Sequence, residues 1–359
     1  MLTAPPYLQV SEATAKNNIS KMVSKAEALN LELRPHFKTH QSSEIGEWFR
    51  EYGIQAITVS SLKMAEYFAD HGWEDITVAF PVNILESQLI NTLNSRINLK
   101  ILIADPSVIG FLESTLHAPL HVYVEIDPDY GRSGVSIHNK VLVSDVVNSI
   151  KSSKKLTFEG FYSHAGHSYK CRGKDEIKRL FAPLIRELSG FKNKFGGKLC
   201  WGDTPSCSVL EEFGEADQIS PGNFVFYDWT QTRIDSCSYS DIAVTMQSPV
   251  IAKFPERMEI LVHGGAVHFS KDSIQNEGNT LNFGQAINPK NPEDFSNYLK
   301  SISQEHGLIS CSEDFFNNTN VGDTISIYPI HSCLTANLMR AYHTEDGKII
   351  DHFGSGAPF

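Results

Sequence analysis

Side chains able to make or break bonds gather at a few places in this chain of 359 residues. Lys38 stands in RPHFKTHQ, at the end of an apolar run. A lysine that ends a buried strand loses part of its hydration. Its pKa falls, and its amine becomes able to form a Schiff base with a carbonyl. Taken alone, it reads more simply as a solvated strand-end lysine. Arg132 stands in EIDPDYGRSGV between Gly131 and Gly134, which let the backbone turn tightly. Its guanidinium can pair with a carboxylate or a phenolate oxygen, or equally with a surface Asp. In GFYSHAGHSY, His164, His167 and Tyr169 lie close together. An imidazole can stack on an aromatic ring, and a tyrosine hydroxyl can bond a ring nitrogen. At least one of the three reads as a satisfied core polar group.

WGDTPS (201–206) and SPGNF (220–224) are small-residue segments. Their backbone N–H groups can close round an anion, and Thr204 or Ser206 can add a hydroxyl. Ser206 also opens a short helix whose N-terminus favours negative charge, and Tyr227 supplies a further donor. Near the chain's end, TISIYPIHSC carries His331 and Cys333. On a strand, residues two apart face the same side. Imidazole and thiolate together suit Zn²⁺ and leave coordination positions for water or substrate. A lone H-x-C is more often a partly buried His beside a buried thiol.

The elements that must position these groups follow from hydrophobic periodicity. Strands are predicted near 33–37, 55–59, 76–80, 99–104, 120–126, 157–163, 198–201 and 217–220, separated by helical stretches such as 11–29, capped by Ser11, and 174–194. Ser61 caps a further helix that stops at Gly72. This rhythm predicts an α/β fold, an N-terminal (β/α)8 TIM-type barrel over 11–238, with a doubly wound sheet as competitor. No G-x-G-x-x-G follows the first strand, which argues against dinucleotide binding. Beyond residue 238, strands separated by turns predict a mostly β domain over 239–359, joined by residues 1–10 through Tyr7, Leu8 and Val10. Residues 272–300 read as a long loop.

In such a barrel, active groups sit just after the strands, and the loops after strands seven and eight frequently build a phosphate site. Lysine, arginine, phosphate cradle and metal pair then meet at one barrel mouth. That combination suits pyridoxal phosphate, which needs a Schiff-base lysine and a phosphate anchor. Hydrophobic residues make up 41% and charged residues 20%, so a core can form. The net charge of -11 argues against a nucleic-acid binder. No apolar run approaches the roughly 18 residues of a membrane span, and MLTAPPYLQV does not read as a signal peptide. Six scattered cysteines without CxxC read as free thiols or metal ligands. The expectation is a cytoplasmic protein.

RPHFKTHQ, followed in order by GRSGV, SHAGHSY, GDTPS, SPGNFVFYD and IHSC, resembles the D-serine dehydratase and D-threonine aldolase family, relatives of alanine racemase among the fold-type III enzymes. The resemblance runs over nearly the whole chain. It implies a homodimer acting on a small D-amino acid with a β-hydroxyl, most readily the dehydration of D-serine to pyruvate and ammonia. It implies that Lys38 carries pyridoxal phosphate and acts as base on the α-carbon. Arg132 would lie near the cofactor's phenolic oxygen. His164 and Tyr169 would line the ring, Tyr169 facing the pyridine nitrogen. Thr204, Gly222, Asn223 and Tyr227 would hold the phosphate, and His331 and Cys333 a divalent metal. The His–Cys pair resembles the zinc-like set of the dehydratases; the aldolases typically pair His with Asp. Retro-aldol cleavage to glycine and an aldehyde, racemisation, and non-catalytic cofactor binding are the alternatives. Gln41 stands where many relatives carry a basic residue, and HGGAVHFSKD (263–272) departs from the expected stretch, with His263 and His268 placed to reshape the substrate pocket.

Overall fold

The computed structural model describes residues 6–355. The helix Glu12–Ala28 starts where Ser11 accepts a hydrogen bond from the Thr14 N–H, and it buries Ala15, Ile19, Met22 and Ala26. That spacing is one face of a helix, and it faces a barrel wall. The strands Glu32–Leu33, Gln218–Ile219, Lys198–Trp201, Leu156–Ser163, Leu120–Asp127, Asn98–Ile103, Asp75–Pro81 and Ala56–Val59 lie side by side in that order, all parallel. The ring closes where the Phe37 N–H donates to Thr58 O at 2.8 Å and the Thr58 N–H to Pro35 O at 2.9 Å. Runs such as Lys100–Ile103 are buried throughout, as parallel strands covered on both faces require.

The strand expected over 33–37 is regular only at Glu32–Leu33. Pro35 has no N–H to give a ladder, so the rest joins through an isolated bridge at His36. The barrel's lower interior is polar: Arg34 meets Asp75, Glu32 and Thr77, and Lys100 meets Asp75 at 2.6 Å.

The second sheet is antiparallel at all but one pairing and is ordered Glu259–His263, His306–Ser310, Tyr298–Ile302, Gly284–Ala286, Thr324–Pro329, Val244–Phe254, Tyr7–Val10, Tyr342–Thr344, Ile349–Ile350. Val244–Phe254 pairs back onto Glu259–His263, closing part of it into a ring. Tyr7–Val10 is antiparallel to Val244–Phe254 and parallel to Tyr342–Thr344, so the N-terminal strand belongs to this sheet. Residues 1–5 lie outside the described residues.

The expected loop over 272–300 contains short strands at Ile274–Gln275, Leu281–Asn282 and Gly284–Ala286. Buried Asn282 and Gln285 satisfy its backbone by side-chain hydrogen bonds, and the Asn297 side chain accepts from the Ser312 N–H beyond it, a pattern without periodicity in the sequence. His331 and Cys333 are not on a strand, contrary to expectation. The strand Thr324–Pro329 ends first; His331 is the N-cap of the helix Ser332–Met339, and Cys333 lies in its first turn.

Candidate active site

The carboxyl ends of the barrel strands and the start of the helix Ser332–Met339 enclose a cavity of about 570 Å³. Lys38 enters it from the turn after the closing bridge. Gln41, at φ 49°, ends that turn, donating from Nε2 to Lys38 O at 3.1 Å and to Asn337 at 3.1 Å. The β-domain holds the turn from outside. Tyr342 Oη donates to His40 O at 2.6 Å, and the Phe353 N–H donates to Gln41 O at 2.6 Å. Asp351 accepts from Ser42 Oγ, the Ser43 and Glu44 N–H groups, and Tyr67. Loss of water lowers the Lys38 pKa; Arg132 adds to the lowering and Cys333 opposes it.

Arg132 lines the same cavity. Gly131 (φ 75°) and Gly134 (φ 104°) bracket it in left-handed conformations, and a Cβ on Gly134 would lie 2.7 Å from Asp127 N. The guanidinium lies 5.5 Å from the Tyr130 ring centre. His164 and Tyr169 also face the cavity. Burial first, then Lys38 and Arg132, holds His164 well below its ordinary pKa, so its ring is neutral. Burial, with Cys333 and Asp203 adding, pushes Tyr169 up, so its phenol keeps its proton. His167 is not among the lining residues; its ring stacks on Tyr130 at 5.8 Å, and its buried Nδ1 has no hydrogen-bond partner.

Residues of both small-residue segments after the seventh and eighth strands line the cavity, with one change from the expected geometry. The helix begins at Thr204, not Ser206, because Asp203 caps it, accepting from the Ser206 N–H at 2.7 Å. Burial raises the Asp203 pKa to about 6 against the hydrogen bonds from Ser206, Ser168 and Trp201. The buried hydroxyl of Thr204 lines the cavity without a hydrogen-bond partner; that of Ser206 is also unpartnered, but Ser206 is not among the lining residues. Gly222 lines the cavity where a Cβ would come within 2.8 Å of His36 O and 2.9 Å of Thr39 Oγ1. Asn223 turns its amide to Asp228 at 2.6 Å, Ser332 at 2.9 Å and Cys333 Sγ at 3.5 Å, leaving Oδ1 unpartnered. Tyr227 departs from expectation: its hydroxyl is shared with Ser208 at 3.1 Å, it takes φ 48°, and it is not among the cavity's lining residues.

His331 and Cys333 meet at the cavity's far wall. Burial opposes the Cys333 thiolate, but His331, Thr39 (3.3 Å) and Asn223 overcome it and hold the thiol below its ordinary pKa. Burial likewise opposes charge on His331; Cys333, Asp272 and Asp228 outweigh it. A thiolate beside an imidazole is a donor pair for a borderline-soft cation. An unpartnered hydroxyl, a Cβ-free wall and a low-pKa lysine fit a phosphorylated aldehyde. The sequence reading missed His36, Tyr130 and Asp272 on the cavity wall. Tyr130 could have been found as the residue before Gly131 in the Arg132 turn. Asp272 sits in a segment noted only as divergent.

The family model for the alanine racemase N-terminal domain matches residues 10–196, and that for a serine dehydratase domain matches residues 243–344. The chain is 29% identical to a D-serine dehydratase of Dictyostelium discoideum over 97% of this chain and 95% of that protein. It is 26% identical to a D-threo-3-hydroxyaspartate dehydratase of Delftia sp. over 93% of this chain and 92% of that protein. An alanine racemase-like protein of Idiomarina loihiensis superposes with a TM-score of 0.87 at 25% identity, covering 98% of each chain.

Proposed function

Since the chain belongs to the alanine racemase N-terminal domain family, and carries a serine dehydratase domain after it, we propose that it is a pyridoxal phosphate- and metal-dependent lyase of 3-hydroxy D-amino acids, dehydrating D-serine to pyruvate and ammonia. The observation that carries this reading is the convergence, in one cavity, of a lysine of lowered pKa with a His–Cys pair. The dehydratases named above, similar over nearly the whole chain, support it.

When bound, pyridoxal phosphate supplies an electron sink for the α-carbon and the metal a Lewis acid for the β-oxygen. Lys38 holds the cofactor and then takes the Cα proton on Nζ; its lowered pKa leaves more of it unprotonated near neutrality than an ordinary lysine. Neutral His164 and Tyr169 offer the ring an uncharged wall, Tyr169 with a phenolic proton to donate. Arg132 brings the fixed positive charge to the oxygen side. The Thr204 hydroxyl and the close approach at Gly222 grip the phosphate, while Asn223 orients Cys333. His331 and Cys333 hold the metal, Zn²⁺ by their softness. The substrate loses the Cα proton and the β-hydroxyl as water, and uptake of one water then releases ammonia.

We place the enzyme in the cytoplasm as a homodimer. Its six free cysteines fit a reducing compartment, and among the described residues no helix is long and apolar enough to cross a membrane. Incubation of cofactor- and Zn²⁺-loaded protein with D-serine should release pyruvate, with none from L-serine. A chelator should stop the release and Zn²⁺ restore it. Glycine and an aldehyde from D-threonine, without pyruvate from D-serine, would replace the dehydratase reading by the aldolase one.

A further inference from the structure

Asp272 lies on the loop after the strand Glu259–His263, with its Oδ2 3.2 Å from His331 Nδ1. With Nδ1 beside the carboxylate, Nε2 is the ring nitrogen left to bind a cation. Among the described residues, the one close set of three His, Cys or carboxylate donors is His263, His268 and Glu305. Asp272 therefore does not complete a compact donor set with His331 and Cys333; it stands behind the imidazole.

The loop holds the carboxylate in place. Ser270 takes φ 70°, and its Oγ accepts from the Asp272 N–H at 3.1 Å. Phe269 is buried, and its carbonyl accepts from Thr335 Oγ1 at 3.3 Å. Thr335 lies on the helix that carries Cys333, so the carboxylate and the thiol share one anchor. The loop's root is a hydrogen-bonded brace. The Gly265 N–H donates to His268 Nδ1 at 3.2 Å, which leaves the His268 proton on Nε2, turned to Glu305. Glu305 also meets His263 Nε2 at 3.1 Å. A nitrogen that carries its proton offers no lone pair to a cation.

We propose that Asp272 is a positioning residue for His331: it accepts the Nδ1–H, fixes the tautomer that bares Nε2 toward the metal, and raises the ring's basicity. A carboxylate behind a metal-bound imidazole does this generally, and losing it typically weakens metal affinity by about 10–100-fold. Both side chains are partly exposed here, 37% for His331 and 41% for Asp272, so water screens the pair and the lower end applies. The proposal rests on His331 and Cys333 holding a metal.

The test is made on cofactor-loaded protein. Zn²⁺ affinity is measured by competition with a chromogenic chelator, and Co²⁺ is added to read the thiolate-to-cobalt charge-transfer band that reports Cys333. Asp272→Asn should weaken Zn²⁺ binding by about tenfold and keep the band at saturating Co²⁺, with Asp272→Glu recovering part of the affinity. Cys333→Ala should lose the band. Unchanged Zn²⁺ affinity in Asp272→Asn, beside tight binding in the parent, overturns the positioning role and leaves the metal site standing. A parent that binds no better than Cys333→Ala overturns both. Loss of the band in Asp272→Asn and Asp272→Glu alike at saturation overturns the role as stated, since the carboxylate would then be holding Cys333.

Discussion

In the proposed reaction Lys38 is the residue on which the chemistry turns, and its surroundings give it a testable titration. Desolvation leads the lowering of its pKa, with Cys333 opposing and Arg132 contributing. Once substrate has displaced it from the cofactor, a lowered pKa frees the amine at lower pH, so kcat for D-serine should rise with pH through a value below the ordinary 10.5 of lysine. Lys38→Ala should bind the cofactor without a covalent link. Borohydride reduction followed by peptide mass analysis checks this, and a cofactor adduct persisting in the variant would remove Lys38 from its role. This residue was legible through the RPHFKTH motif and its resemblance, since a strand-end lysine taken alone reads as solvated. His331 and Cys333 were legible as a pair but not as a geometry. The alternating pattern of TISIYP gives no sign that the strand stops two residues before His331. Asp272 was not legible, because its partner lies 59 positions away in the sequence and only folding brings the two together.

At the scale of elements, the Lys38 turn is fixed less by the barrel than by the β-domain that caps it. Asp351 accepts from two N–H groups at the start of the helix Ser43–Arg50, where a carboxylate meets the positive end of the helix dipole, and from two serine hydroxyls. Its pKa in the fold is about 2, below the ordinary 3.8. The stabilisation is therefore complete above the unfolded value and is lost as pH falls through the folded one. Asp351→Ala should cost about 1–2 kcal/mol at neutral pH, a half-exposed carboxylate falling at the low end for charged hydrogen bonds. The gap to the parent in urea unfolding should close as pH is lowered toward 2. A gap independent of pH would mean that packing, not the carboxylate's charge, holds the turn. The barrel strands were legible because burial on both faces writes them as apolar runs. The segment around 274–302 was not, because its order comes from buried Asn and Gln side chains that bond backbone groups.

Across the whole molecule, the barrel and the β-domain share the polypeptide unequally. The strand Tyr7–Val10 precedes the barrel yet sits inside the second sheet, flanked by Val244–Phe254 and Tyr342–Thr344. Leu8 is fully buried there, so Leu8→Ala should cost about 2–5 kcal/mol. Hydrogen exchange should place the lost protection in the two flanking strands; a loss confined to the barrel strands would contradict that. The arrangement also orders events in time. During synthesis Tyr7–Val10 emerges before the barrel, but Val10 cannot meet Val244 until the entire barrel has left the ribosome. At about 5–20 residues per second, that wait exceeds roughly ten seconds. The barrel can assemble in the interval, while a short β-prone segment trails from it with its edges open. The strands made after the barrel must then capture the one made before it, so completion of the β-domain is also the step that withdraws the nascent chain's exposed edge from competing partners.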